Sequence, residues 1–564
     1  MPSRVHIARC RLLVSFLAVA VLACASPASA APHRGATSAT TNAPEPRTGR
    51  LLVTVDRGMQ SRASTNVLTS LGVRKDGEQV PQVGLVTVRP LLGETLAASA
   101  ALLRTVPWVK SVSVERRMSL RFVPNDPAIT QAETSSGTPG GIPKEWWAAS
   151  EDLFAGWDVA NGTGAKVAII DSGIDGSHPE FAGKIVAAID NDTTIGGGPA
   201  NTDSNGHGTH VASLACANGN NGAGIVGAGL NCSLIVLKSD LSDSSIIQSL
   251  VQASDAGADS INMSFGTDGS VPPPPAFVAA LNYAISKNVV LVAAAANAPI
   301  EEQGDPANVL QPTGTGPDIT FNKGLSVTSA DYNHVRSSFA GKGSQISIAG
   351  HGNFAAISGP PGVLGAWPAN FTEIEAEGCG CRTSVNGDNR YAYLAGTSMA
   401  TPQVAGVAAI VRHFNPDLSA ADVVRILKQT ATRPAGTGWS PELGWGIVNL
   451  GAALNAARLV DRLAPRSKSR GPKKLRGRVF TLKWTGKDLA RPGITPSGIL
   501  RYDIWRKKNG GGYHRIAKTI RQKRKMTLKR GARYRFYTIA IDKQGNREAK
   551  PSKADVSLRV SRSR

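Results

Sequence analysis

Val167-Ala168-Ile169-Ile170-Asp171-Ser172-Gly173 decides the fold. Four consecutive apolar residues leave the segment no polar face, as in a strand of a parallel sheet covered by helices on both sides. Val289-Val290-Leu291-Val292 repeats that signature further on. Asp171 then stands at the carboxyl end of its strand, where open α/β sheets place their ligands. From Ala165 to about Arg458, short apolar runs alternate with helical patterns, which predicts an α/β block around a doubly wound, mostly parallel sheet. Ser419-Ala420-Ala421-Asp422 opens one of its helices, the Ser419 hydroxyl taking an orphan backbone N–H. Two Gly/Pro-rich stretches, 299–318 and 351–390, are expected as long loops.

At 564 residues the chain exceeds what one hydrophobic core can organise, so further units must flank this block. Its 60 glycines, 18% charged and 41% hydrophobic residues describe a globular, loop-rich protein and exclude disordered, collagen-like and coiled-coil classes. Residues 1–30 have a basic start, an apolar run from Leu12 to Ala23 and the small residues Ala28-Ser29-Ala30, the layout of a secretory signal cleaved after Ala30. Val21-Leu22-Ala23-Cys24 distantly resembles a lipoprotein cleavage box, but Leu22 fits it poorly, so free secretion is expected over lipid anchoring. Residues 31–49 read as a flexible linker. Over 50–123 a strand at Leu51–Val55, a helix at Thr65–Leu71, a strand at Leu85–Val88, a helix at Thr95–Leu103 and a strand at Val109–Val114 predict a two-layer α+β unit. The main block is assigned to 124–460, a basic linker to 461–478, and a small antiparallel β-sandwich of short strands to 479–564.

Charge is distributed unevenly. Residues 126–460 hold 15 Lys and Arg against 29 Asp and Glu, whereas residues 461–564 hold 32 against 6. An acidic body joined to a basic tail assigns any anionic polymer or cell surface to the tail. Removing the signal leaves Cys216, Cys232, Cys379 and Cys381, an even number suited to an oxidising compartment. Cys216 with Cys232 is a credible disulfide, while three connectivities remain open. Outside the signal, no charge-free apolar stretch is long enough to span a bilayer.

The chemistry lies in three short segments. Taken alone, Asp171-Ser172-Gly173 reads as a turn, Gly206-His207-Gly208-Thr209-His210 as a loop or half a metal site, and Gly396-Thr397-Ser398-Met399-Ala400 as a helix cap. Together they supply what nucleophilic catalysis requires: a serine, a histidine to take its proton, and a carboxylate to hold the histidine. Ser398 would lie at the amino end of the small-residue helix through Val404–Val411, where unpaired N–H groups favour an oxyanion.

In the order Asp, His, Ser, the stretches 167–181, 205–215 and 395–408 resemble the signatures of the subtilisin-like serine proteases. The resemblance covers roughly 145–458. It implies endopeptidase activity on proteins and peptides through an acyl-enzyme, with Asp171 as orienting carboxylate, His207 as general base and Ser398 as nucleophile. His210 is then a packing or hydrogen-bonding residue. Asn297 resembles the side-chain oxyanion donor, and Ser264-Phe265-Gly266 the edge against which substrate lies extended. The family usually has glycine where Ala296 stands, so the added methyl is expected to narrow the specificity pocket. Asn220–Ile225 resembles a calcium loop, with Glu180 in place of its carboxylate ligand and Asn221 beside it; calcium there would be structural, catalysis needing no cofactor. Residues 50–123 resemble an inhibitory propeptide, which makes the chain its own first partner and the protein a zymogen, with Pro124-Asn125-Asp126-Pro127 just after the processing point. The end domain resembles a fibronectin type III module. Two rival readings are an inactive adhesive protein using the basic sandwich and a metallohydrolase built on His207 and His210.

Overall fold

A computed structural model describes residues 47–56, 65–91, 94–116, 122–194, 198–355, 358–434, 436 and 438–562. The signal peptide and nearly all of the linker expected after it lie outside the described residues.

The amino-terminal unit is a four-stranded antiparallel sheet of β1 (Arg47–Val55), β2 (Val73–Val80), β3 (Leu85–Pro90) and β4 (Val109–Arg116), in the order β2-β3-β1-β4. Helices α1 (Thr65–Ser70) and α2 (Leu96–Arg104) contribute Leu68 and Leu103 to a core with Leu51, Val53, Val86 and Val88. Strand β2 is absent from the sequence reading. Its interior is Arg-Lys-Asp-Gly-Glu-Gln, without an apolar alternation, and its register slips between Lys75 and Gln79, where Gly77 adopts φ 124°.

The central block is built on seven parallel strands: β5 (Lys166–Asp171), β6 (Ile185–Asn191), β7 (Ser233–Ser239), β8 (Ser260–Met263), β9 (Val290–Ala294), β10 (Leu325–Ala330) and β11 (Ile348–His351). Their order is β11-β10-β9-β8-β5-β7-β6. Helices α3 (His207–Cys216), α4 (Asp243–Asp255), α5 (Pro275–Ser286), α6 (Thr397–Phe414), α7 (Ala420–Thr430) and α8 (Leu450–Ala457) cover the sheet. Val167 and Ile169 pack with Val211 of α3 and Val404 of α6, whereas Ala168 and Ile170 pack with Leu250 of α4 and Leu281 of α5. All four residues of the run are therefore buried, and the period of two divides them between two cores. Strands β6 and β7 lie on one side of β5 and β8 to β11 on the other, so the winding reverses beside β5, where α/β folds open a ligand crevice.

Helices α3 and α6 touch backbone to backbone. A Cβ on Gly406 of α6 would sit 2.8 Å from the Ala215 carbonyl oxygen of α3. Larger side chains are excluded there, which is why the sequence of α6 is so rich in small residues.

Two expectations are corrected. The 351–390 stretch is not a long loop: it carries β12 (Val363–Ala366), β13 (Arg382–Val385) and β14 (Asp388–Leu394), an antiparallel sheet in the order β12-β14-β13. Two of these strands have only four residues, too short to display a period. Nor is 461–478 only a linker, because it supplies β15 (Arg466–Arg470) and β16 (Lys474–Leu475). Arg-Ser-Lys-Ser-Arg has no apolar residue to announce a strand; its inward Ser469 is buried against Thr538 and Asp555 by hydrogen bonds.

With β17 (Val479–Lys487), β18 (Ile499–Lys508), β19 (Tyr513–Thr519), β20 (Lys523–Thr527), β21 (Arg533–Asp542) and β22 (Val556–Val560), these strands form two sheets, β15-β17-β20 and β16-β22-β21-β18-β19. The sheets share a core of Phe480, Leu482, Trp484, Tyr502, Ile504, Phe536 and Leu558. An Arg491–Asp417 ion pair at 2.7 Å ties them to the central block. Cysteines pair as Cys216–Cys232 and Cys379–Cys381. Among the described residues no helix is long and apolar enough to cross a membrane.

Candidate active site

Asp171 ends β5, nearly buried, and its Oδ1 accepts hydrogen bonds from His207 Nδ1 at 2.8 Å and from the Ser172 N–H at 2.8 Å. Its Oδ2 is buried with no hydrogen-bond partner among the described residues. His207 is the first residue of α3, after Gly206 at φ 98°. A Cβ on Gly206 would strike the Trp367 ring at 2.6 Å, so both conformation and space demand glycine before the histidine. Burial disfavours the charged imidazole. The charge and hydrogen bond of Asp171, with the charge of Asp203 behind them, outweigh burial and raise the His207 pKa above its ordinary value.

Asp203 is a residue that the sequence reading missed. Its carboxylate accepts from the Ser172 hydroxyl, from the N–H groups of Asn205, Gly206 and Thr209, and from the Thr209 hydroxyl. The strand end that bears Asp171 and the helix start that bears His207 are thus bound to one buried group. Asp203 stands three residues before the helix N-cap Gly206, outside the position where a capping signal is read.

Ser398 is the second residue of α6, at the helix amino end as expected. Its hydroxyl donates to the Ser264 carbonyl at 3.0 Å. Ser264, Phe265 and Gly266 continue from β8, with Ser264 buried, Phe265 half-buried and Gly266 exposed. Asn297 follows β9 and is exposed. Its Oδ1 accepts the Thr397 N–H at 2.9 Å, and since only the oxygen can accept, the amide NH₂ is directed away from Thr397. Thr397, a second residue the sequence reading missed, is buried with its hydroxyl on the Ala295 carbonyl at 2.6 Å. Ala296 is half-buried, its N–H held by Gln303 Oε1 at 2.9 Å.

His210 does not face a metal site with His207. Its Nε2 lies 3.1 Å from the carbonyl oxygens of Val363 and Ala392, and burial lowers its pKa to about 3. The two histidines of the motif point to different partners.

Glu180 is fully buried, and its Oε1 accepts from the Ile225 N–H at 2.9 Å and the Tyr391 hydroxyl at 2.9 Å. Among the described residues its Oε2 has no hydrogen-bond partner, and burial with the nearby Asp126 charge raises its pKa to about 8. Asp126 accepts the Asn220 and Asn221 N–H groups on the same loop. An orphaned carboxylate oxygen beside a second carboxylate fits a hard cation. Asn221 is exposed and its Oδ1 is turned to the Ala223 N–H at 2.8 Å, within its own turn.

Comparisons with known proteins place the chain among proteases. Thermitase of Thermoactinomyces vulgaris is 33% identical over 291 residues, covering 50% of this chain and 86% of thermitase. Subtilisin BL of Lederbergia lenta is 32% identical over 297 residues, covering 52% and 91% respectively. A calcium-dependent protease of Trichormus variabilis is 33% identical over 344 residues, covering 55% of this chain and 48% of that protein. The protein is a serine endopeptidase of the subtilisin-like kind. It belongs to the Subtilase family, whose profile matches residues 162–446.

Proposed function

We propose that the protein is a secreted endopeptidase, made as a zymogen, that cleaves peptide bonds through Asp171, His207 and Ser398. The observation that carries this reading is the 2.8 Å Asp171–His207 hydrogen bond, in a chain whose Ser398 stands at a helix amino terminus. Asp171 holds the ring so that Nε2 is free to accept the Ser398 proton. The hydroxyl first leaves the Ser264 carbonyl, a side-chain rotation on the ps–ns scale. The attacked carbonyl becomes an oxyanion, and its charge falls between the Asn297 NH₂ and the Ser398 N–H at the positive end of α6. His207 then returns the proton to the leaving amine, and water repeats the sequence to release the acyl group.

Substrate would lie along Ser264–Gly266, with Ala296 shaping the pocket mouth. Residues 50–123 act as inhibitor until they are cut away. A fibronectin type III-like role for the carboxyl-terminal sheets is supported by their shared core. Secretion is supported by the signal layout and by two disulfides, which persist in oxidising compartments. Structural calcium at the Asn220–Ile225 loop is supported by the free Glu180 oxygen and by a relative named for calcium dependence. A fluorophosphonate should label Ser398, and labelling should survive a chelator. Absence of labelling would favour the adhesive reading, and loss of activity by zinc removal alone would favour the metallohydrolase.

A further inference from the structure

The outward face of the sheet β15-β17-β20 carries Arg466, Lys468 and Arg470 on β15, Lys483 and Lys487 on β17, and Lys523 and Lys525 on β20, all exposed. The strand register sets them against one another. Arg466 lies opposite Lys487, and Arg470, Lys483 and Lys523 stand abreast across all three strands. Directly opposed residues of a sheet are ~4.5–5.5 Å apart at Cβ, and like charges so placed destabilise it. No acidic residue shares the face, and among the described residues none of the seven forms an ion pair. The three cations abreast line one hollow of about 610 Å³ together with Thr485, Arg521, Gln522 and the inward, buried Trp484.

Lysine on an edge strand can serve only to prevent edge-to-edge pairing, and β15 and β20 are edges. Strand β17 is central, so Lys483 and Lys487 have no such use. The face instead has the form of a strip: three strands give a width of ~10 Å, and cations recur every second residue, ~7 Å, along β15. A strip of that width takes one linear chain, not a bilayer surface. It carries threonines (Thr481, Thr485) but no outward aromatic ring on which bases could stack. We propose that this face binds an acidic polysaccharide, its sulfate or phosphate groups on the cation rows and its sugar hydroxyls on the threonines, so that the protease is held on its anionic matrix.

The test uses the full-length chain, silenced with a fluorophosphonate, and heparin as probe. The variant Arg470→Gln/Lys483→Gln/Lys523→Gln is compared with Lys518→Gln/Arg535→Gln/Lys553→Gln, which removes the same charge from exposed positions off the strip. The strip variant should lose ~10-fold or more in heparin affinity, and its log–log salt slope should fall by about 3, one per cation removed. The control should stay within about twofold. Equal losses would show that net charge alone binds and would overturn the assignment to this face. Tighter binding to phosphatidylglycerol vesicles or to a single-stranded oligonucleotide than to heparin would overturn the ligand class. No binding of the native chain to heparin at low salt would overturn the anionic partner altogether, leaving the protease reading untouched.

Discussion

Ser398 and Ser264 hold each other reciprocally: the Ser398 hydroxyl donates to the Ser264 carbonyl at 3.0 Å, and the Ser264 hydroxyl donates to the Ser398 carbonyl at 3.0 Å. The proposed nucleophile is parked on the strand edge along which substrate would pair. A substrate N–H that claims the Ser264 carbonyl displaces the hydroxyl, so occupation of the cleft releases Ser398 toward His207. Ser264→Ala keeps that carbonyl and removes one arm of the pair, worth ~1 kcal/mol. Turnover should fall about fivefold with native folding by circular dichroism, and an unchanged kcat would show that the pair does not position the nucleophile.

Ser398→Ala should abolish proteolysis while preserving the fold, because α6 keeps a small residue. Loss of a triad member costs ~10⁴–10⁶ in turnover in subtilisin itself. Casein hydrolysis at even a tenth of the native rate would contradict the mechanism.

Asn297→Ala should lower kcat with little change in KM, by ~10²–10³, the scale known for subtilisin's side-chain donor. Thr397→Val keeps the N–H on Asn297 Oδ1, though it loses the hydroxyl that also lies 2.9 Å from that oxygen, and should cost less. Comparable kcat losses in the two variants would transfer the role from Asn297 to the Thr397 hydroxyl.

As general base, His207 works only when neutral, and its pKa is raised by Asp171 against the effect of burial. The acid limb of kcat/KM should therefore be shifted upward from the ordinary histidine value. Asp171→Asn removes the charge that raises it, so the limb should move to lower pH while kcat falls ~10⁴. A limb that stays in place would assign the titration to another group.

Glu180 has a folded pKa of about 8 against an ordinary 4.5, so its contribution favours the folded state at low pH and is lost as pH rises through about 8. In chelator, Glu180→Gln should flatten the decline of Tm across that window. In calcium, the native chain should gain Tm and the variant should not. Equal gains in both would remove Glu180 from the cation site.

Maturation should be autocatalytic, with the new amino terminus between Arg117 and Asp126. Secretion of Ser398→Ala in mature form from a protease-free host would show that another enzyme cuts.

The parallel sheet was legible because Val167–Ile170 and Val289–Val292 are apolar on both faces, and the three site segments because each reactive residue is adjacent to an element end. Strands β2, β13 and β15 were not legible. They bury little apolar surface, so their pairing is fixed by neighbouring strands and by hydrogen bonds such as those of Ser469. Asp203 and Thr397 escaped for a different reason: each acts on another catalytic candidate rather than on substrate, and only three-dimensional contact reveals the link.

Gly406 and Ala215 meet eight residues into α6 and α3, counted from Ser398 and His207. At 1.5 Å per residue the meeting point is ~12 Å from either reactive group. The two helices therefore work as the arms of a pair of tongs whose pivot is a single missing methyl. Gly406→Ala would spread the tips without touching them, and single-turnover acylation should slow more than substrate binding weakens. The spacing of the two proposed reactive groups would then be governed ~12 Å away from them, at a position that no inspection of the cleft would select.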